Sequence, residues 1–166
     1  MSVTRNQHTI VIDIPTQTLT LRDADSGIVM ESTVSTAKKG VGEQLNSECT
    51  PRGRHVIRAK IGAEMPLNTV FVSRRPTGEL YSPALRALYP QRDWILTRIL
   101  WLSGLEPGKN RFGDVDTMRR HIYIHGAPDE DPMGIPSSHG CIKMRNEDVV
   151  ALFNLVTAGT RVLINE

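Results

Sequence analysis

The sequence predicts a mostly β domain with one clear α-helix near its C-terminal end. Three observations predict it. Short alternating runs rich in β-branched residues recur along the chain, clusters of Gly, Pro, Asp and Ser punctuate them, and one late segment carries apolar residues at helical spacing. With 166 residues, the chain is long enough to bury a proper core and is read as one domain spanning 1–166.

The elements follow in order. Thr9–Ile14 alternates as a strand, Pro15 breaks it, and Leu19–Arg22 resumes it. The turn Asp23-Ala24-Asp25-Ser26-Gly27 leads to Ile28–Val34, so these pieces read as consecutive hairpin strands. Lys38 to Thr50 is polar, carries Gly40 and Gly42, and reads as a loop. Thr50-Pro51-Arg52-Gly53 then turns the chain into a strand over His55–Ile61. Val70–Ser73 is a short strand, and Arg74–Arg92, with four Pro or Gly residues, reads as an excursion with little regular structure. Trp94–Leu102 suits helix or strand by length, but its alternation favours a buried strand. Gly104–Asp116 reads as a loop and Arg120–His125 as a strand through Ile122, Tyr123 and Ile124. Gly126–Ser137 is a Pro-rich loop with an acidic cluster. Asn146 reads as the N-cap of the helix, with Glu147 and Asp148 complementing its dipole. Val149, Val150, Leu152, Phe153 and Val156 form its apolar face, Gly159 is its expected stop, and Thr160–Ile164 is the last strand.

Composition narrows the function. Apolar residues make up 39%, charged residues 23%, and the net charge is only +2. The Lys and Arg residues are scattered, without the basic stripe or reading motif of a nucleic-acid binder. No window approaches the roughly 18 apolar residues of a membrane span. The N-terminal stretch MSVTRNQHTIVIDIP lacks the apolar core and small-residue cleavage site of a secretory signal. That favours the cytoplasm; a periplasmic location would require a signal peptide already removed. Cys49 and Cys141 are expected as free thiols rather than a disulfide.

The run Ser138-His139-Gly140-Cys141 carries the chemistry. A free thiol is only slightly ionised at neutral pH, and the thiolate is the nucleophile, so a nearby imidazole is the natural activator. His139 lies two positions before Cys141 and, in an extended segment, projects to the same side. Gly140 permits the backbone turns that aim amide N–H groups at a developing oxyanion. His125 ends a strand sixteen residues upstream, across a loop able to fold the two ends together. A competing reading uses His125, His139 and Cys141 as three zinc ligands, but the chain has no His-x-x-x-His pair and no Cys-x-x-Cys. Cys49 reads as a small buried hydrophobe, and His8, His55 and His121 as structural hydrogen-bonders.

These residues resemble the L,D-transpeptidase catalytic domain, also called the YkuD domain. The resemblance rests on His125-Gly126, then Ser138-His139-Gly140-Cys141-Ile142, together with Thr50-Pro51-x-Gly53 and Asn146-x-Asp148. It runs from about His8 to Ile164. Two positions depart from the family pattern: Ala127 stands where Thr is common, and Lys143 where Arg is common. Lys keeps the charge but loses the bidentate geometry that grips a carboxylate.

The resemblance implies a β-sandwich-like fold and a two-step acyl transfer without metal or organic cofactor. Cys141 would attack the L,D bond before the terminal D-Ala of a peptidoglycan stem tetrapeptide, leaving a thioester. His139 would be the base, oriented by the Ser138 carbonyl, with His125 assisting. The N–H groups of His139, Gly140 and Cys141 would hold the oxyanion. Lys143, Arg145, Arg120 and Tyr123 are candidate substrate contacts, Trp94 is core or pocket wall, and carbapenems are expected to acylate the thiol. The missing signal favours a cytoplasmic L,D-carboxypeptidase that trims soluble muropeptides in murein recycling. A periplasmic L,D-transpeptidase that forms crosslinks or exchanges D-amino acids is the alternative, and a non-enzymatic wall-binding module a distant one.

Overall fold

The computed structural model describes residues 7–166, so the first six residues of the stretch read for a signal lie outside it. Strands β1 (Thr9–Asp13), β2 (Thr18–Arg22) and β3 (Ile28–Thr33) form an antiparallel meander at one edge. β10 (Arg161–Asn165) pairs parallel to β1, and β4 (Gly53–Ile61) follows antiparallel to β10. The ladder continues through β7 (Ile95–Gly104) to β5 (Thr69–Val72) and the edge strand β6 (Arg75–Leu80).

β7 is the branch point. Its own residues pair with β4 and β5 along one edge and with β8 (Tyr123–Gly126) along the other. β8 in turn pairs parallel with β9 (Ile142–Met144), which leads into α2 (Asn146–Leu155). A ten-residue strand would not close such a branch without a break. It comes at Thr97 and Arg98, two extra β7 residues between the Leu96↔Gly126 and Ile99↔His125 pairs. Thr97 sits at φ 74°, a conformation that costs a β-branched residue about 1–3 kcal/mol.

The sandwich-like arrangement follows from alternation along the strands. Ile10, Ile12, Leu19, Leu21, Ile57, Leu100, Val162 and Ile164 from one layer meet Ile124, Ile142 and Met144 of β8 and β9. Val149, Leu152, Phe153 and Val156 from the helix segment close the same core. A smaller cluster of Val70, Tyr81, Trp94 and Leu96 lies beside it, and this places Trp94 in a core.

Four local expectations are corrected. The 74–92 segment is structured, holding β6 and α1 (Pro83–Leu88). Pro83 starts the helix instead of breaking structure, because its missing N–H costs nothing in the first turn, and Ser82 caps it by accepting from the Leu85 N–H at 3.1 Å. Pro76 is tolerated because β6 is an edge strand. The strand expected from Arg120 starts only at Tyr123, since His121 at φ 56° closes a turn. The helix ends at Leu155, with Val156 already extended, and Gly159 serves the next turn, donating to the Ile57 carbonyl at 2.8 Å.

Asn146 is the fourth correction. It is the first residue of α2 and not its cap, buried at 2% exposure. Its side-chain oxygen accepts from Thr97 Oγ1 at 2.6 Å, and its amide donates to Asn68 Oδ1 at 3.1 Å and the Ala127 carbonyl at 3.0 Å. A buried amide with partners on three segments is worth more as a tie than as a helix cap.

Candidate active site

Cys141 is set by a turn whose polar groups are satisfied internally. Ser138 Oγ donates to the Cys141 carbonyl at 2.6 Å and accepts from the Gly140 N–H at 3.2 Å. Gly140 stands at φ 128°, and a Cβ there would lie 3.1 Å from Ile122 Cδ1 and 3.2 Å from the Cys49 carbonyl. Both facts call for glycine. Thr50 pins the turn from outside: its hydroxyl donates to the Gly140 carbonyl at 3.0 Å and accepts from the Ala37 N–H at 2.9 Å. The Thr-Pro-x-Gly signature thus supplies a direct support of the Cys141 turn, a role its sequence does not reveal.

The parallel β8–β9 pairing sets what faces what. Ile124 opposite Ile142 and Gly126 opposite Met144 form part of the ladder, with the isoleucines and Met144 buried in the core. Tyr123 and His125 therefore share the opposite face with Cys141 and Lys143. All four line one pocket of about 400 Å³, together with Arg74 and Asp93. A Cβ on Gly126 would meet Asn146 Oδ1 at 2.5 Å and the Leu96 carbonyl at 2.7 Å, so the His-Gly pair needs its glycine for close approach.

The Cys141 sulfur accepts from the Tyr123 N–H at 3.3 Å, and its S–H donates to the His121 carbonyl at 3.4 Å. Burial, with the Asp93 charge acting the same way, pushes the thiol up to about 12, against the Tyr123 N–H and the Arg120 charge. At rest Cys141 is a protonated thiol.

His125 is 1% exposed, and its Nδ1 lies 2.6 Å from the Gly126 carbonyl. A carbonyl can only accept, so Nδ1 carries the hydrogen and Nε2 keeps its lone pair. Burial holds its pKa below the usual histidine value, so the ring is neutral at pH 7. His139 is different. Its side chain is 67% exposed at the pocket mouth, with Nδ1 4.0 Å from Asp93 Oδ1. The Ser138 carbonyl expected to orient it accepts instead from the Lys38 N–H at 2.9 Å. The ring held by a main-chain carbonyl is thus His125, which is buried, while the His139 side chain is exposed.

Of the candidate substrate contacts, Tyr123, Lys143 and Arg120 line the pocket. Lys143 is already paired with Asp131 at 2.6 Å, and Asp131 also accepts from Arg86 at 2.7 Å. Arg120 spends its guanidinium on the Gly42 and Cys49 carbonyls and Ser47 Oγ. Arg145 is exposed at the start of α2 and does not line the pocket. Asp93 and Arg74 are pocket residues that no motif marks, since each comes from a loop whose fold the sequence pattern does not resolve. Cys49 and Cys141 are free thiols. Among the described residues, no three His, Cys, Asp or Glu side chains converge to hold a metal.

A neutral, carbonyl-locked imidazole and a protonated thiol thus share one pocket, above a strand-to-helix segment. Residues 7–164 match the model of the L,D-transpeptidase catalytic domain, YkuD, and the chain belongs to that family. It is 26% identical over 162 residues to the protein named "Probable L,D-transpeptidase YbiS" from Escherichia coli (strain K12), covering 92% of this chain and 48% of that protein. The chain therefore spans about half the length of that relative. Among solved structures, an L,D-transpeptidase from Mycobacterium smegmatis aligns with a TM-score of 0.56 and 20% identity, covering 97% of this chain and 59% of the other. L,D-transpeptidase 3 from Mycobacterium tuberculosis, in complex with a faropenem-derived adduct, gives 0.59 and 18%, covering 97% and 61%. At such identities these structures confirm the mostly β fold.

Proposed function

We infer that this chain catalyses cysteine-dependent acyl transfer on peptidoglycan stem tetrapeptides, at the L,D bond before the terminal D-Ala, with water as the final acceptor. The observation that carries the reading is the locked neutral His125 sharing a pocket with the protonated Cys141. His125 Nε2 takes the thiol proton as Sγ bonds to the scissile carbonyl carbon. His139 and Cys141 N–H groups, which among the described residues donate to no other backbone carbonyl, receive the oxyanion. Collapse breaks the C–N bond, His125 returns the proton to the leaving amine of D-Ala, and a thioester remains. Water, deprotonated by the same ring, then attacks the thioester and regenerates the thiol and a free carboxylate.

The open pocket mouth, with His139 two-thirds exposed, supports water as acceptor, making the activity that of an L,D-carboxypeptidase on soluble muropeptides. Cytoplasmic placement in murein recycling belongs to the same proposal; free thiols at both cysteines suit a reducing compartment. A second reading, an amine acceptor and hence a periplasmic transpeptidase, is favoured by the Asp93 carboxylate at the pocket mouth. It can hold a protonated amine, and the relative from E. coli carries the transpeptidase name.

Incubation with a disaccharide tetrapeptide followed by mass spectrometry decides between them. Loss of one D-Ala, absent in Cys141→Ala, supports hydrolysis; dimers or exchanged D-amino acids support the amine reading. Binding without any turnover by the wild type would overturn both and leave a wall-binding module. Cell fractionation with an antibody against the chain tests the location.

A further inference from the structure

Arg74 sits at the tip of the β5–β6 hairpin, in a place that an ordinary hairpin would not give it. Val72 pairs with Arg75, so Ser73 and Arg74 alone form the turn, both with positive φ, at 49° and 64°. A two-residue turn of this kind normally uses Asn-Gly. Here it aims a long cationic side chain back into the Cys141 pocket. The guanidinium lies 4.5 Å over the Trp101 ring, and its Nη1 donates to the Tyr123 hydroxyl at 2.9 Å. Tyr123 spans the two centres: its N–H reaches the Cys141 sulfur and its hydroxyl reaches Arg74.

The other pocket cations are spent. Lys143 is held by Asp131, and Arg120 by two carbonyls and a hydroxyl. Among the described residues, no carboxylate pairs with Arg74. Stacking on Trp101 fixes the guanidinium plane while leaving N–H edges for a planar, bidentate acceptor.

We propose that Arg74 is the specificity-determining residue that receives the free C-terminal carboxylate of the leaving residue, one residue beyond the scissile bond. The inference rests on the acyl-transfer reading above and deepens it. It makes the enzyme exo-acting, releasing single C-terminal residues and discriminating against the same peptide with a blocked end.

The test compares a tetrapeptide acid with its C-terminal amide, using wild type, Arg74→Gln and Arg74→Lys. Wild type is expected to prefer the acid by about tenfold to a hundredfold in kcat/KM, the range for a charge-assisted hydrogen bond. Arg74→Gln loses that preference, and Arg74→Lys keeps part of it. Thermal denaturation and reaction of Cys141 with iodoacetamide, a neutral reagent, verify that the variants are folded with an unaltered thiol. An acid preference retained in Arg74→Gln overturns the proposal and leaves the acyl-transfer reading standing. So does a loss seen instead only when the carboxylate is removed from the side chain of the residue that supplies the scissile carbonyl. If wild type turns over neither peptide, the acyl-transfer reading fails. Titration of the Cys141→Ala protein by calorimetry then decides for Arg74: tighter binding of acid than amide, abolished by adding Arg74→Gln, sustains it, and equal binding overturns it.

Discussion

Replacing Gly126 by alanine isolates a purely steric demand of the site. The added Cβ would lie 2.5 Å from Asn146 Oδ1, 2.7 Å from the Leu96 carbonyl and 3.1 Å from Thr97 Cβ. The Leu96 carbonyl belongs to the central strand and pairs in register with Gly126, so it cannot retreat without opening the ladder. Overpacking of this kind costs about 1–3 kcal/mol. Moving the Asn146 oxygen also strains its 2.6 Å bond from Thr97, adding about 1 kcal/mol. A total near 3 kcal/mol lowers Tm by roughly 6–12 °C in a domain of this size. Because His125 is locked by the Gly126 carbonyl, the same shift should slow acylation of Cys141 by a carbapenem, read as the rate of adduct formation by mass spectrometry. A Gly126→Ala protein with Tm within about 1 °C of wild type, well under 1 kcal/mol, and unchanged acylation would refute the close packing described.

Other perturbations separate the remaining roles. His125→Ala should lower kcat by about a hundredfold to ten-thousandfold, the range of a lost general base, whereas His139→Ala should cost less than about tenfold; steady-state kinetics showing the reverse order would return the base to His139. His55 is fully buried between the Gly53 carbonyl and Thr117, and burial lowers its pKa from 6.5 to about 4. The unfolded chain takes up this proton first, so stability is full above pH 6.5 and falls by about 3 kcal/mol as pH drops toward 4. The buried His125 acts in the same direction, and urea denaturation midpoints that stay flat over this range would contradict both. Thr50→Val strands the Ala37 N–H and the Gly140 carbonyl, which should cost about 1–3 kcal/mol and slow thiol acylation. Thr50→Ser, which keeps both bonds, should recover most of each loss.

Strand alternation made most of the sheet legible. The apolar residues of 9–14 and 19–22 fall where the two-residue period puts them, because a half-buried strand writes its burial directly into sequence; 96–100 is buried at every position and shows no such period. Segments stabilised by distant partners were not legible. β6 is an edge strand held by β5, and α1 is a six-residue helix with no fully buried residue, so neither carries a pattern of its own. Asn146 shows the same limit within one residue. Locally it has every attribute of a cap, yet Thr97, Asn68 and Ala127, all distant in the chain, offer its amide better partners.

The sequence by itself singled out Cys141 and its turn. Ser138-His139-Gly140-Cys141 with an upstream His-Gly is a local pattern, and the turn chemistry around a thiol depends on adjacent residues. Tertiary structure alone decided which imidazole is held in a fixed tautomer in the Cys141 pocket. The sequence reads His139 as the base with His125 assisting, but in the fold His125 is buried beneath a ladder, bonded to its own neighbour's carbonyl, while His139 projects into solvent beside Asp93. Burial and hydrogen-bond partners set protonation, and both come from residues far away in the chain. The same holds for Arg74, whose place in the pocket depends on a strained hairpin stacked on Trp101.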